Sequence, residues 1–206
     1  GGRLALSGVL ETQAKYLYWM KKDCNHQVSQ AEVYFKRGLE QNPDASLLYI
    51  RMAGIYITQA RSRSDQGNSP LVILDRAEQL LRKARAINPN YYENDGIDGE
   101  ISLLKAKWAL AKQQNPEAYF TRTAGSLKQA MSLNPKNIDL YLIGARLNWS
   151  KAEGKESQNQ PTAASKYITE GLDYIRQALA INSNYAEAYA LKGVLLRLRS
   201  RLAGDS

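Results

Sequence analysis

The sequence predicts an all-α fold in which antiparallel helix pairs stack along the chain. One phrase recurs four times, and its closing asparagine stands at residues 42, 88, 134 and 182, in steps of 46, 46 and 48 residues. No stretch alternates apolar and polar residues with enrichment in Val, Ile and Thr, so no strand is predicted. A fixed period in this range is typical of a solenoid of stacked supersecondary units.

The recurring phrase is itself predicted to be a helix. Its copies are Ala31-EVYFKRGLEQN-Pro43, Ala77-EQLLRKARAIN-Pro89, Thr123-AGSLKQAMSLN-Pro135 and Gly171-LDYIRQALAIN-Ser183. Each copy has a small residue, a large apolar residue four positions later and another small residue three after that, which is the spacing of one helix face. Because a proline ring disfavours α conformation in the residue before it, the first three copies are predicted to end at their asparagine.

A second amphipathic helix is predicted after each stop. These helices run from Leu47 to about Arg61, Ile97 to about Lys112, Ile138 to about Lys151 and Ala186 to about Leu202, and a matching segment lies near Leu4 to Met20. The pattern predicts a single domain over residues 1–206, with repeats at about 1–43, 44–89, 90–135 and 136–183 and a terminal helix at 184–203. Segment 153–163 holds Gly154 and Pro161 and is expected to form a mobile loop.

The phrase resembles the second helix of the tetratricopeptide repeat (TPR). The matching sets are Ala31-Phe35-Gly38-Pro43 and Ala77-Leu81-Ala84-Pro89, and degraded forms follow at Thr123-Leu127-Ala130-Pro135 and Gly171-Ile175-Ala178-Ser183. The aromatic and small residues of the family's first helix are supplied by Tyr49/Ala53, Tyr141/Ala145 and Tyr189/Gly193, whereas Asp95/Gly99 supplies only the small one. The resemblance covers essentially the whole chain and implies a right-handed solenoid of four helix pairs plus a C-terminal helix.

The repeat length departs from the family. TPR repeats span about 34 residues, and the extra residues here fall between the first and second helix of each pair. They are expected to lengthen both helices.

Composition bounds the function further. The 206 residues carry a formal net charge of +8 and a single cysteine, Cys24, so no internal disulfide can form. A chain without disulfides favours a reducing compartment, and a cytoplasmic location is expected. No run of about 18 apolar residues suggests a membrane helix. The opening Gly1-Gly2-Arg3 lacks Met, which indicates either a tag remnant or a region excised from a larger protein.

Catalysis is not predicted. Cys24 and the only histidine, His26, could form half of a nucleophile or metal site, but no second Cys or His completes either one. The chain lacks G-x-x-x-x-G-K-[ST] and G-x-S-x-G motifs. We therefore expect no enzyme activity, metal or cofactor.

The resemblance implies that a partner segment binds in the concave face lined by the first helices. The family's carboxylate clamp cannot be recognised, because the matching positions hold residues such as Ile50, Gly54 and Gly96. A chaperone-type acidic tail is therefore not the expected ligand. Trp108 and Trp149 are open to two interpretations, as partner anchors or as packing residues, and Tyr189 is expected to pack in the core. The candidate groove residues are Ile57, Glu93, Glu100, Leu103, Leu104, Trp108, Asp139, Arg146, Trp149 and Glu187.

A second set of candidates is basic. Cations recur at the outer ends of the first helices, where they would form one edge of a solenoid. The macrodipole favours cations at helix C-termini without any function; an acidic protein, an anionic surface or a nucleic acid are the functional alternatives. The basic-edge candidates are Lys21, Lys22, Arg61, Arg63, Lys105, Lys112, Lys151, Arg197 and Arg201.

Together these features predict a non-catalytic protein-interaction scaffold whose partner is a protein or peptide, with an acidic partner as one option. The alternative is a helical solenoid that binds nucleic acid or an anionic surface through the basic edge. Residues 184–193 are also loosely similar to helical tails of bacterial Ser/Thr kinases, which implies a regulatory or substrate-recruiting region of a larger signalling protein.

Overall fold

The computed structural model describes residues 9, 12–18, 20 and 24–204, and all of the regular structure in these residues is helical. The described helices are α1 (residues 12–18), α2 (Asn25–Gln41), α3 (Ser46–Asp65), α4 (Leu71–Ile87), α5 (Tyr92–Ala111), α6 (Glu117–Leu133), α7 (Ile138–Ser157), α8 (Pro161–Ile181) and α9 (Ala186–Gly204). The all-α prediction is confirmed for these residues.

The chain divides into two compact units, Gly1–Tyr119 and Phe120–Ser206. In the first unit, α3 packs against α2, α4 and α5; in the second, α7 packs against α8 and α9. Each of these helices thus contacts helices that are adjacent or next but one in the chain. That is the packing of stacked helix pairs. The single domain over residues 1–206 stays a prediction.

In the first unit, the recurring phrase buries its small residues against the preceding first helix. Ala77 and Ala84 of α4 are fully buried, and Leu81 lies between them on the same face. Ala77 and Leu81 pack with Ala53 and Ala60 of α3. Because all four small positions lack bulky side chains, the two helices can approach closely.

The second unit repeats this packing. Ile168, Ile175 and Ala178 of α8 form one core cluster with Ala145 and Ala152 of α7. These α7 residues lie 92 positions after Ala53 and Ala60, two periods of 46. The small residues predicted from the sequence therefore mark the same packing position in both units.

A tyrosine hydroxyl ties three of the first helices to the turn before them. Tyr49 donates to the Pro43 carbonyl at 3.3 Å, and Tyr141 donates to that of Pro135 at 2.6 Å. The third such bond runs from Tyr189 to the Ser183 carbonyl at 3.0 Å. In α5 the tyrosine is replaced by Asp95, and the neighbouring Asn94 supplies the bond by donating from Nδ2 to the Asn88 carbonyl at 2.6 Å.

The turns inside the helix pairs also keep the period. Gly67, Gln113 and Asn159 have φ values of 77°, 56° and 56° and follow one another at 46-residue steps. At the second of these turns, the Gln113 N–H donates to the Leu110 carbonyl and the Gln114 N–H to that of Ala109. The same pair of bonds occurs at the other two turns. Each of these first helices therefore ends in a Schellman motif.

Replacing Gln113 with glycine is expected to stabilise the protein. The left-handed conformation costs an L-residue roughly 1–2 kcal/mol, and glycine adopts it without that cost. Since glycine also gains entropy in the unfolded chain, Gln113→Gly should raise the free energy of unfolding by about 0.5–1 kcal/mol. Urea denaturation measures this difference.

The matched control is Gln114→Gly, one residue further along the same turn. Gln114 is outside the left-handed region, so glycine there relieves nothing and should lower the free energy of unfolding. If both substitutions destabilise the protein equally, this turn does not have the left-handed geometry.

The longer repeats lengthen the helices, as predicted: α3, α5 and α7 each have 20 residues, and α4 has 17. The predicted mobile loop over 153–163 is wrong, because α7 continues to Ser157 and α8 begins at Pro161. Gly154 is buried within α7, and Pro161 occupies the first turn of α8, where its fixed φ suits a helix start.

Candidate partner-binding face

Three first helices carry an acidic residue at the same register of the repeat. Glu93 of α5, Asp139 of α7 and Glu187 of α9 lie in the first turns of their helices. Their numbers differ by 46 and 48, the steps of the repeat itself. A carboxylate at a helix N-terminus is stabilised by the macrodipole, and each of these three also accepts a hydrogen bond from a neighbouring side chain.

In the first unit, an ion pair joins two consecutive first helices. Arg61 Nη2 of α3 lies 2.8 Å from Glu100 Oε1 of α5, and their side chains are 21% and 20% exposed. Glu93 in turn accepts hydrogen bonds from the Tyr91 hydroxyl at 3.0 Å and the Tyr92 hydroxyl at 3.2 Å. Burial, followed by the charge of Glu93, raises the pKa of Tyr91 to about 12.

A second ion cluster in this unit joins α4 to α5. Lys105 Nζ lies 2.9 Å from Asp75 Oδ1 and 3.1 Å from Glu78 Oε2, and the lysine side chain is 11% exposed. Burial lowers the pKa of Lys105, but its hydrogen bonds to both carboxylates outweigh that effect, so its pKa is raised. Lys105 thus forms ion pairs with two acidic residues of its own chain.

The second unit repeats the link between first helices. The Arg146 guanidinium of α7 pairs with the Glu187 carboxylate of α9. The Tyr185 hydroxyl donates to Asp139 Oδ1 at 2.9 Å. Burial, then the neighbouring Asp139 carboxylate, raises the pKa of Tyr185 to about 12. Arg146 and Glu187 therefore hold each other in position, and so do Tyr185 and Asp139.

A bidentate ion pair joins the C-terminal end of α9 to α7. Arg201 Nε and Nη2 lie 2.7 Å from Glu156 Oε1 and Oε2. This parallel geometry is the strongest arrangement of a guanidinium with a carboxylate. Together with the Arg146–Glu187 pair, it holds both ends of α9 against α7.

The aromatic candidates lie half-buried. Lys112 Nζ is 4.6 Å from the centroid of the Trp108 ring. Trp149 packs against the core of the second unit while keeping part of its surface accessible. Both residues thus combine packing with exposure, and both interpretations made from the sequence stay open.

The apolar groove candidates require a correction. Ile57, Leu103 and Leu104 are 1%, 4% and 9% exposed, so the expectation that they line an accessible groove is wrong. Ile57 and Leu104 belong to one core cluster of the first unit. The reason is that α3 and α5 contact each other directly, which covers the residues between them.

The basic-edge candidates are mostly engaged within the chain. Lys21 and Lys22 lie outside the described residues. Arg61, Lys105 and Arg201 form the ion pairs given above. Lys151 Nζ lies 5.7 Å from the ring centroid of Phe120 and 5.4 Å from that of Tyr167. Arg63 donates from Nε to the Ser69 carbonyl at 3.3 Å, and Arg197 is exposed.

Two polar residues of the face are not among the site residues predicted from the sequence. Tyr91 and Tyr185 each stand two residues before an acidic residue of the shared register. Both end the same four-residue pattern, Asn-Pro-Asn-Tyr at 88–91 and Asn-Ser-Asn-Tyr at 182–185. This recurrence was the signal that could have identified them.

The arrangement offers ion pairs and hydrogen bonds. In the part of the chain that the structure describes, no group of three His, Cys, Asp or Glu residues is placed to hold a metal ion. Cys24 is buried against Val28 and Ala31, whereas His26 is exposed. Among the described helices, none is long and apolar enough to cross a membrane.

Comparison with known proteins adds a structural likeness alone. No protein-family model matches the chain, and no curated protein matches it. Among solved structures, it is similar to a thermophilic TPR protein of Thermus thermophilus, with a TM-score of 0.46 and 17% sequence identity. That match covers 96% of this chain and 97% of the other.

Proposed function

We propose that this protein is a non-catalytic interaction module that binds a segment of a partner protein on the face of its first helices. The observation that carries the proposal is the pairing of opposite charges between neighbouring first helices, Arg61 with Glu100 in the first unit and Arg146 with Glu187 in the second. These pairs hold polar groups of both signs in fixed positions, and preorganisation reduces the entropy cost of binding.

The mixed sign of this face favours a peptide over a phosphate backbone. In the second unit Asp139 and Glu187 would repel phosphates, and in the first unit Glu93 would do the same, whereas a peptide offers donors, acceptors and apolar side chains together. Half-buried Trp149 supplies an aromatic anchor of the type that concentrates binding energy at interfaces. A C-terminal carboxylate is not the expected feature of the partner, since Ile50 and Gly54, at the family's clamp positions, are buried.

The exposed cations give the partner a charge preference. Arg63, Lys112 and Arg197 are exposed, and the chain carries a net charge of +8. Such cations accelerate encounter with an acidic partner without determining which partner binds. We further propose that the module serves as a regulatory or substrate-recruiting region of a signalling protein such as a Ser/Thr kinase, on the likeness of residues 184–193 to kinase tails.

The test begins with peptides selected from a random display library against the intact protein. We expect Arg146→Ala and Trp149→Ala to raise the dissociation rate of the selected peptides by about tenfold, because truncated interface anchors act mainly on dissociation. Arg176→Ala is the control, since Arg176 lies on the second helix α8 with a 78% exposed side chain. Thermal melting confirms that each variant is folded.

A second set of variants separates the alternative function. Arg63→Glu, Lys112→Glu and Arg197→Glu together should slow association and reduce its dependence on salt, and they leave the buried Lys105 cluster intact. If this set abolishes binding while the Arg146 and Trp149 variants change nothing, the basic edge is the binding site. Steep weakening of DNA or RNA binding with the logarithm of salt concentration would then identify the nucleic-acid alternative.

A further inference from the structure

One face of α9 has the residue pattern of a helix-packing face and is accessible. Tyr189, Gly193, Leu196 and Ser200 follow one another at spacings of four, three and four, which places them on one side of the helix. We call these four residues the α9 outer stripe. Tyr189 is 52% exposed, so the expectation that it packs in the core is wrong. Ser200 is exposed as well, and Gly193 and Leu196 are half-buried.

The equivalent stripe of α3 is covered by a second helix. It consists of Tyr49, Ala53, Tyr56 and Ala60, each 140 positions before its counterpart in α9. Ala53 and Ala60 are fully buried against α4, and Tyr49 is 8% exposed. The residues of α4 that cover this stripe are Leu74, Ala77, Leu81 and Ala84.

The equivalent stripe of α7 is covered in the same way. It consists of Tyr141, Ala145, Asn148 and Ala152, each 48 positions before its counterpart in α9. Ala145 and Ala152 are fully buried with residues of α8. A Cβ at Gly171 of α8 would lie 3.4 Å from the Asn148 Cβ. In both α3 and α7 the stripe is covered by a helix that has a small residue, a large apolar residue four positions later and another small residue three after that. The helices packed on α9 itself are α7 and α8, which lie on its other side.

The charged residues beside the α9 outer stripe indicate which residues a helix bound there should carry next to its apolar face. Lys192, Arg197 and Arg199 border the stripe and are exposed. The only acidic residue of α9 is Glu187, which is engaged by Arg146. An occupant with acidic residues beside its apolar face would therefore meet three cations. The second helices of this chain, α2, α4, α6 and α8, each carry at least as many basic as acidic residues, so a second copy is a poor electrostatic match.

We propose that the α9 outer stripe docks an amphipathic helix of a partner protein. This helix carries small residues seven positions apart with a large apolar residue between them, and acidic residues on its flanks. Helix-in-groove recognition of this kind uses anchors at i, i+4 and i+7. The site is separate from the first-helix face, so the two surfaces serve two different segments.

The probe is a labelled peptide with the sequence of residues 161–181, in which the exposed positions Ser165, Lys166, Arg176 and Gln177 are changed to Glu. Its binding to the intact protein is followed by fluorescence anisotropy. We expect saturable binding that weakens at least about tenfold in Gly193→Leu, because the added side chain fills the stripe. The double variant Lys192→Glu/Arg199→Glu should weaken it similarly. A peptide with Lys at the same four positions should bind at least about tenfold more weakly.

Two controls keep the result interpretable. A Cβ at Gly193 would meet only the Arg197 side chain, at 3.8 Å, so Gly193→Leu should fold normally, as checked by thermal melting. Gly125→Leu places the same side chain on another helix, where nothing lies within 4 Å, and should leave binding unchanged.

Three results would overturn the proposal. The first is an absence of peptide binding, and the second is binding that is insensitive to Gly193→Leu, which would mean that the peptide replaces α8. The third is self-association of the protein that Gly193→Leu abolishes, which would identify a second copy as the occupant. None of these results bears on Arg146→Ala or Trp149→Ala, so failure here is distinguishable from failure of the proposed function.

Discussion

Leu195→Ala is expected to lower the free energy of unfolding by about 2–5 kcal/mol, which is the usual cost of truncating a buried leucine. Leu195 is fully buried in the core of the second unit. Its Cδ1 lies 3.0 Å from where a Cβ would stand at Gly171 of α8. Leu195 packs on α8, and α8 in turn packs on α7. A cavity at this position therefore weakens the contact that holds α9 in the second unit. Chemical denaturation monitored by circular dichroism measures the loss.

The control for Leu195→Ala is Val72→Ala in α4. Val72 is 66% exposed, so its truncation removes little buried surface and should change the free energy of unfolding by less than about 0.5 kcal/mol. Equal effects of the two substitutions would show that α9 does not pack on α8 as described. The candidate site would then lose the Arg146–Glu187 link as well.

Gly144→Leu is expected to lower the free energy of unfolding by about 1–3 kcal/mol through overpacking. A Cβ at Gly144 would lie 2.6 Å from Tyr174 Cε1 and 2.7 Å from Cδ1, closer than real Cβ contacts allow. Tyr174 packs against the core cluster of the second unit, so its ring has little room to move. The small residue at this point allows α7 and α8 to approach each other.

Gly125→Leu is the matched control in α6, where a Cβ has nothing within 4 Å. Glycine in a helix interior costs roughly 0.5–1 kcal/mol relative to alanine, so this substitution should be neutral or stabilising. In a Tyr174→Ala background, the cost of Gly144→Leu should shrink, because residues in contact couple. If Gly144→Leu melts like wild type, the packing of α7 on α8 differs from that described.

These effects matter for function because the proposed binding faces consist of helices held by their neighbours. Arg146 and Glu187 stand on different helices, and their distance depends on how α8 packs on both α7 and α9. A substitution in that core can therefore weaken partner binding without touching the partner. Measuring folding and binding on the same variants separates the two causes.

The sequence by itself determined the helix pairs. The phrase spacing of four and three places Ala77, Leu81 and Ala84 on one face, and all three are buried as that spacing predicts. Asn42 and Asn88 lie directly after the last residues of α2 and α4. The proline that follows each asparagine disfavours α conformation in the residue immediately before it. These features depend on residues close in sequence, which is why they could be predicted without the structure.

Only the tertiary structure decided which residues are accessible. Leu103 has the side chain of a groove residue but is buried, whereas Tyr189 has the pattern of a core residue but is exposed. Lys105 counted as an edge cation, yet two carboxylates of α4 surround it. Burial and charge pairing depend on which helix lies against a residue, and its own identity and register do not carry that information. The sequence therefore predicts the repeats, whereas the accessible surfaces depend on how neighbouring helices cover one another.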